Sequence, residues 1–474
     1  MNSIPQIIQG GMGAGVSNWR LARAVSWLGQ LGVVAGTALD EILSRRLQDG
    51  DAEGHVRRAL EHFPFPRIAR NILDTYFIPG GRDASKPYKT SRMHTAENNV
   101  PAQELCIAAN FVEVFLAREG HANPVGINFL EKIQMPHLPS LYGAMLAGVA
   151  VVIVGAGIPM EFPAAIAALA DHQPATYTLN VAGNRAEEPV VLRLDPSAFL
   201  EPGQSLPALA RPAFLPIVSS GTLATMMVRR IKGDMAGFVI EGPLAGGHNA
   251  PPRGQMKFTD DGQPIYGSRD AVDLDVFRQL GLPFWLAGAY GSPEKRKEAL
   301  ALGAAGVQVG TPFALCRESG LAPELRLALL AKARAGTAKV FTDAKASPTG
   351  FPFKVAELDG TLSEESVYRQ RRRVCDLGFL REIYRKPNGT LGYRCAAEPE
   401  KAYLAKGGDA ADGIGRKCLC NALVANIGMP QRLADGSQEL PLVTLGDDFE
   451  NVVRFGSADQ PDYSAADVIR TLLG

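Results

Sequence analysis

The sequence predicts an α/β fold: a (β/α)8 barrel with a long insertion after strand 2, an inserted hairpin and a C-terminal extension. Three observations carry that expectation. Short apolar strands alternate with segments of helical periodicity, eight such strands can be placed in order, and most of them run directly into Gly, Asn, Ser or Glu. In barrels of this kind the C-terminal strand ends form the active-site face, so small and polar residues there mark where chemistry is expected.

The first strand is expected at 7–9 and ends in the glycine-rich turn Gly10-Gly11-Met12-Gly13. A helix follows, with Ser17 or Asn18 as N-cap, because Leu21, Val25 and Leu28 recur at helical spacing. Gly32 closes that helix and Val33 opens the second strand. A mixed stretch at about 37–123, with proline, glycine and many charges, reads as an elaborated barrel loop. Its one clear helix spans 102–118, where Leu105, Ala109, Val112 and Leu116 line one face. Further strands are expected at 125–128, 149–154, 214–219, 238–241, 284–287 and 307–309. The segment 176–194 reads as a hairpin, since 190–194 carries no following barrel helix. These elements place the barrel in 1–340. Beyond about Gly336 the pattern changes, and 341–474 reads as an extension with a Pro-, Gly- and Phe-rich start, a basic helix at 364–373 and an irregular, cysteine-bearing remainder.

Composition narrows the function classes. The chain has 474 residues, no formal net charge, 46% hydrophobic and 21% charged residues, all ordinary for a soluble globular protein. A neutral balance gives no electrostatic footprint for nucleic acid or an anionic membrane, so the expected partner is a small molecule or another protein. A homodimer is compatible with the sequence. The N-terminus has neither a basic region nor a long apolar stretch, so a signal peptide is not expected and a cytoplasmic location is. The segment 133–160 lacks Asp, Glu, Lys and Arg, but Pro136, Pro139, Gly148, Gly155, Gly157 and Pro159 break it. It reads as a short helix and a buried strand, with no membrane span.

Three strings carry chemistry. Glu241-Gly-Pro-Leu-Ala-Gly-Gly247-His248 follows a strand directly. Its glycines let the backbone approach a flat ligand, and the loop sets an imidazole at the barrel mouth. Histidine with its ordinary pKa of about 6.5 can act as a base near neutral pH, which makes His248 the catalytic candidate. The strings Gly288-Ala289-Tyr290-Gly291 and Gly310-Thr311 follow strands seven and eight, where barrels commonly bind phosphate through backbone N–H groups and a helix N-terminus. A rival dinucleotide fingerprint at Gly11-Met-Gly13-Ala-Gly15-Val16 lacks the third glycine, and no acidic residue closes the second strand.

Five blocks in order resemble the nitronate monooxygenase family, formerly called 2-nitropropane dioxygenase: PQIIQGGMG, PVGINF, EGPLAGGH, WLAGAYG and GVQVGT. That family shares its flavin barrel with FMN-dependent enoyl reductases. The resemblance covers about residues 4–330 and implies noncovalent FMN, with Gly10, Gly11 and Met12 against the ring. It also implies Asn128 and Glu241 at the polar edge, Gly247 in the histidine loop, and Gly288, Ala289, Gly291, Gly310 and Thr311 at the phosphate. His248 matches the family's histidine, which moves a proton at the substrate carbon. The leading function is oxidation of a small nitronate with dioxygen. The alternatives are an NAD(P)H-dependent enoyl reductase or NAD(P)H:quinone reductase on the same barrel, a non-redox phosphate-binding isomerase or aldolase, and a flavin protein serving assembly or sulfur trafficking. No lysine lies on a predicted strand, which weighs against a Schiff-base aldolase.

Four of the six cysteines, Cys375, Cys395, Cys418 and Cys420, fall in the extension, whereas Cys106 and Cys316 are isolated and read as structural. Arg416 and Lys417 beside the Cys418-Leu-Cys420 pair are expected to lower its thiol pKa. Two readings stand: four reduced thiols, or one metal centre holding zinc or an iron–sulfur cluster. The irregular spacing, without the Cys-x2-Cys pairs of a zinc ribbon, favours the first.

Overall fold

The computed structural model describes residues 4–97, 99–184, 188–231, 234–457 and 459–474; residues 1–3 of the predicted barrel and 185–187 of the predicted hairpin lie outside them. The eight barrel strands are β1 (Ile7–Gln9), β2 (Gly32–Ala35), β3 (Val125–Leu130), β4 (Val151–Gly155), β5 (Ala213–Val218), β6 (Phe238–Glu241), β7 (Phe284–Ala287) and β8 (Gly306–Val309). They pair in parallel in the order β1-β8-β7-β6-β5-β4-β3-β2. The ring closes between β1 and the start of β2, where Leu31 donates its N–H to Ile7 O at 3.0 Å and accepts from Gln9 N–H at 2.9 Å. This is the predicted (β/α)8 barrel.

Strand alternation divides the core into two layers, as the two-residue period of side-chain direction requires. Ile8, Val33, Ile153, Leu215, Val239 and Trp285 form an apolar cluster of their own, and their strand neighbours Ile7, Val34, Val152, Phe214, Phe238 and Val307 pack in the larger outer core. Phe162 sits at the centre of that outer layer, stacked on Phe129 at 6.0 Å and on Phe214 at 6.1 Å. Phe162→Ala is therefore expected to destabilise the fold by about 3–5 kcal/mol, read as a lowered denaturant midpoint with an unchanged slope.

The insertion holds more structure than its composition suggested. Besides α1 (Trp19–Trp27), which precedes β2, the chain forms α2 (Leu39–Gln48), α3 (His55–Glu61), α4 (Pro66–Tyr76) and α5 (Val100–Arg118) before β3. Only α5 was expected there. The charges of α2 concealed it: Asp40, Glu41 and Arg45 are all buried, and Arg45 pairs with Glu41 at 2.8 Å. Helix α5 is long and apolar enough to cross a membrane, but most of it is buried in the protein. It serves as the barrel helix between β2 and β3, against α1, α2 and the helix His137–Leu146. The predicted hairpin is present as Ala175–Leu179 paired antiparallel with Val190–Leu194.

The extension returns to the barrel. Strands β9 (Val340–Asp343) and β10 (Phe353–Ala356) form an antiparallel pair. Strands β11 (Glu382–Arg385) and β12 (Leu391–Arg394) form another, and β11 also pairs in parallel with Val181–Ala182 next to the inserted hairpin. The last helix, Ala465–Leu473, starts with a capping box at Ser464 and packs against α1 and the helix Pro293–Ala301. Arg296 donates to Leu472 O at 2.7 Å and so holds the end of that helix.

Candidate active site

Where the inward-facing positions reach the C-terminal ends of the strands, apolar residues give way to Asn128, Glu241 and Gln308, and all three line one pocket at the barrel mouth. The turn after β1 forms one wall. Ser17 fixes that turn, since its Oγ donates to Gly10 O at 2.8 Å and accepts from Met12 N–H at 2.9 Å. Gly11 lies so close to β3 that a Cβ on it would stand 2.3 Å from Asn128 Cβ. Beside it lie the loops after β8 and β7. There Gly288 has φ +97° and Ala289 has φ +60°, a left-handed conformation that puts alanine where glycine is easier.

The histidine loop is tied to the extension by its backbone. Gly247 N–H donates to Thr444 Oγ1 at 2.7 Å, Lys354 N–H to Gly247 O at 2.9 Å, and Asn249 N–H to Pro352 O at 2.9 Å. His248 stands with Nε2 2.7 Å from Ser347 Oγ, its ring edge-on to Phe353 at 4.9 Å. Ser347 Oγ lies in turn 2.8 Å from Thr349 Oγ1. Burial, and then the Lys132 ammonium, hold the His248 pKa down at about 3, so its imidazole is neutral at pH 7 rather than near its midpoint as the sequence suggested. Burial raises the Glu241 carboxyl to about 8 and lowers Lys132 to about 8.

Most of the residues singled out in the sequence meet in this pocket: Gly10, Gly11, Met12, Asn128, Glu241, Gly247, His248, Gly288, Ala289, Gly310 and Thr311. Gly291 stands behind it, where a Cβ would meet Asp448 Oδ2 at 2.8 Å and Pro312 at 2.9 Å. Gln308, Ser347, Phe353, Thr444 and Asp448 were not anticipated. Gln308 sits inside a string that was recognised, and an inward-facing amide at a strand end was the available signal. The others come from the extension and carry no local signal.

The four extension cysteines converge as well: Cys375, Cys395, Cys418 and Cys420 line one small cavity, and Cys420 also reaches the main pocket. Their pKa values are raised, chiefly by burial, which corrects the expectation that Arg416 and Lys417 lower the Cys418–Cys420 pair. Those cations point elsewhere. Arg416 donates to Lys345 O and Ser347 O, and Lys417 to Leu362 O at 2.7 Å.

The pocket fits a flavin mononucleotide. Gly10, Gly11, Gly246, Gly247, Gly288 and Gly310 line it, left-handed backbone at Gly288 and Ala289 lies beside the N-terminus of Pro293–Ala301, and the buried Gln308 Oε1 has no hydrogen-bond partner among the described residues. An acceptor left bare in a polar pocket suits a ligand N–H or O–H.

Residues 204–347 match the family model described as nitronate monooxygenase, a stretch that holds the histidine loop and both phosphate loops. Together with the pocket, that match defines the class: the chain is an FMN-dependent oxidoreductase. No curated protein matches the chain. Similar solved structures include FabK from Thermotoga maritima, at 17% identity over 99% of this chain and 91% of that one, with a TM-score of 0.44. A nitroalkane oxidase from Streptomyces ansochromogenes is 16% identical over 99% and 94%, with a TM-score of 0.48. The enoyl reductase domain of MlnA from Bacillus amyloliquefaciens is 12% identical over 78% and 68%, with a TM-score of 0.39.

Proposed function

We propose that the chain oxidises a small nitronate with dioxygen, with His248 as the base that generates or holds that substrate form. The observation that carries this reading is the neutral imidazole of His248, oriented by Ser347 at 2.7 Å inside the flavin-shaped pocket. With Ser347 Oγ accepting from Nε2–H, Nδ1 is left as the lone-pair nitrogen and takes a proton from the carbon beside the nitro group. Bound FMN supplies the electron exchange at its ring, a chemistry no side chain in the pocket offers. Gly10, Gly11 and Met12 would hold the ring, Asn128, Glu241 and Gln308 its polar groups, and Gly288, Ala289, Gly310 and Thr311 the phosphate. Lys132, whose charge acts on His248, favours an anionic substrate over a neutral one.

The second reading is an NAD(P)H-dependent enoyl reductase. The observation in its favour is a wide polar mouth lined by Lys132, Arg381, Arg394 and Arg416, room for a phosphate-bearing partner. A His248 pKa held at about 3 weakens proton delivery in this reading and proton capture in the first alike, so it does not rank them; the nitronate reading stands first because the Lys132 charge beside His248 suits an anionic substrate. Anaerobic mixing decides between them. Nitronate alone is expected to bleach the flavin at a catalytically competent rate, while bleaching by NADH or NADPH only would overturn the proposal.

The two pKa values also set a pH profile. His248 stays unprotonated above about 4, so kcat/KM for a nitronate is expected to be level from mildly acid to neutral pH. Lys132 loses its charge as pH rises through about 8, so the profile is expected to fall there through a rising KM. Lys132→Met should abolish that alkaline limb, and a limb that persists in the variant would assign it to Glu241, whose carboxyl ionises near the same pH.

A further inference from the structure

The extension cysteines share surroundings that four merely reduced thiols do not need. They come from separate segments: Cys375 precedes β11, Cys395 follows β12, and Cys418 and Cys420 flank Leu419 at the start of the helix Leu419–Ala425. Yet all four line the same small cavity, walled otherwise by Pro348, Leu377, Leu380, Ala397 and Asn421 among others. The backbone amides of Ala397, Asn421 and Leu380 lie near the sulfurs of Cys395, Cys418 and Cys420 and favour their thiolates. Asn421 Nδ2 lies a further 3.8 Å from Cys418 Sγ. Two guanidinium groups stand close by. Arg371 stands near Cys418 while paired with Glu439 at 2.7 Å, and Arg381 lines the cavity beside Cys375 and Cys420. Glu398 and Asp376 are also near, but Glu398 is neutralised by Lys406 at 2.6 Å and Asp376 accepts from Asn421 Nδ2 at 2.6 Å.

We propose that Cys375, Cys395, Cys418 and Cys420 bind a [4Fe–4S] cluster against the wall of the flavin pocket. Peptide N–H groups and cations close to the sulfurs are what a cluster carrying net negative charge with its thiolates requires. Zinc fits less well. Four thiolates about 2.3 Å from one zinc ion must crowd together, and among the described residues the group of three ligands drawn within 4.8 Å is Asp40, His94 and Cys106 rather than these sulfurs. A cubane spaces its thiolates more widely, because iron and sulfide fill the centre. Leu380, Leu419 and Cys420 line both the cysteine cavity and the flavin pocket, so the cluster would be separated from the flavin by a single layer of side chains.

The test uses the full chain, purified without oxygen and also reconstituted with ferrous iron and sulfide. The expected result is about four iron and four acid-labile sulfide per chain, broad visible absorption beneath the flavin bands, and a low-temperature paramagnetic signal on reduction with dithionite. Cys395→Ser/Cys418→Ser, at two cysteines that do not line the flavin pocket, should lose the iron and the signal and keep FMN. The content of the unaltered protein decides the matter even if that variant does not fold. One zinc without sulfide, or neither metal after reconstitution, overturns the proposal. FMN content, measured on the same samples, reports separately on the flavin site.

Discussion

His248→Asn is expected to leave FMN bound while lowering turnover of a neutral nitroalkane by about 10²-fold or more, the usual scale for a positioned acid or base. The loop should survive the change. Its position is set by backbone bonds from Gly247 to Thr444, from Lys354 to Gly247 and from Asn249 to Pro352, none of which involves the imidazole. The loss should be smaller for a nitronate formed in solution before mixing, because its carbon proton is already gone. That difference separates a base from a group that merely shapes the pocket: equal losses on both forms would assign His248 to positioning. Unchanged turnover on both would remove it from the chemistry and favour a quinone reductase, which transfers no proton to carbon.

The barrel was legible because its signals are local. Each strand is a short apolar run that ends in a small or polar residue, and the glycines of Gly10-Gly11 and Gly288-Ala289 announce turns whose backbone must be close to a ligand or left-handed. The pocket lining followed from those same turns. The helices α2, α3 and α4 were missed for a physical reason. The buried face of α2 includes charges that a periodicity argument counts as surface, and what makes them tolerable is pairing, as between Arg45 and Glu41. Helices α3 and α4 bury only three apolar residues each, Val56, Ala59 and Leu60 in one and Ile68, Ala69 and Ile72 in the other, too few to stand out as a stripe. The surroundings of His248 were hidden more deeply. Ser347, Phe353 and Thr444 reach His248 and its loop from the extension, and nothing in the local sequence of any of them reports where the chain will return. The cysteines show the same limit: their spacing is irregular along the chain, yet the strand pair β11 and β12 and the helix Leu419–Ala425 bring them to one cavity.

Gly11→Ala is expected to produce a folded, nearly colourless protein. The added methyl would sit 2.3 Å from Asn128 Cβ and 3.1 Å from its Cγ, and a Cβ belongs to the strand backbone and cannot rotate aside. Either the turn after β1 lifts or the end of β3 retreats, and both carry groups that would hold the flavin. Overpacking of this kind costs about 1–3 kcal/mol, and to the extent that FMN must press the turn back against Asn128 this corresponds, at about 1.4 kcal/mol per tenfold, to binding weakened by about 5- to 10²-fold. The clash stands in the apoprotein as well, so its thermal midpoint should fall by the part of that cost that the displaced turn does not relieve. By contrast, a Cβ on Gly10 meets its neighbours at 3.5–3.8 Å, ordinary contact that asks nothing of the protein. Coupling to Asn128 gives the sharper measurement. Asn128→Gly alone should weaken FMN by removing a polar partner, and adding Gly11→Ala to it should cost little more, because the obstructing Cβ is gone. Fluorescence titration of the four apoproteins with FMN supplies the cycle. Strict additivity, or full FMN retention in Gly11→Ala, would show that the flavin does not rest on this turn.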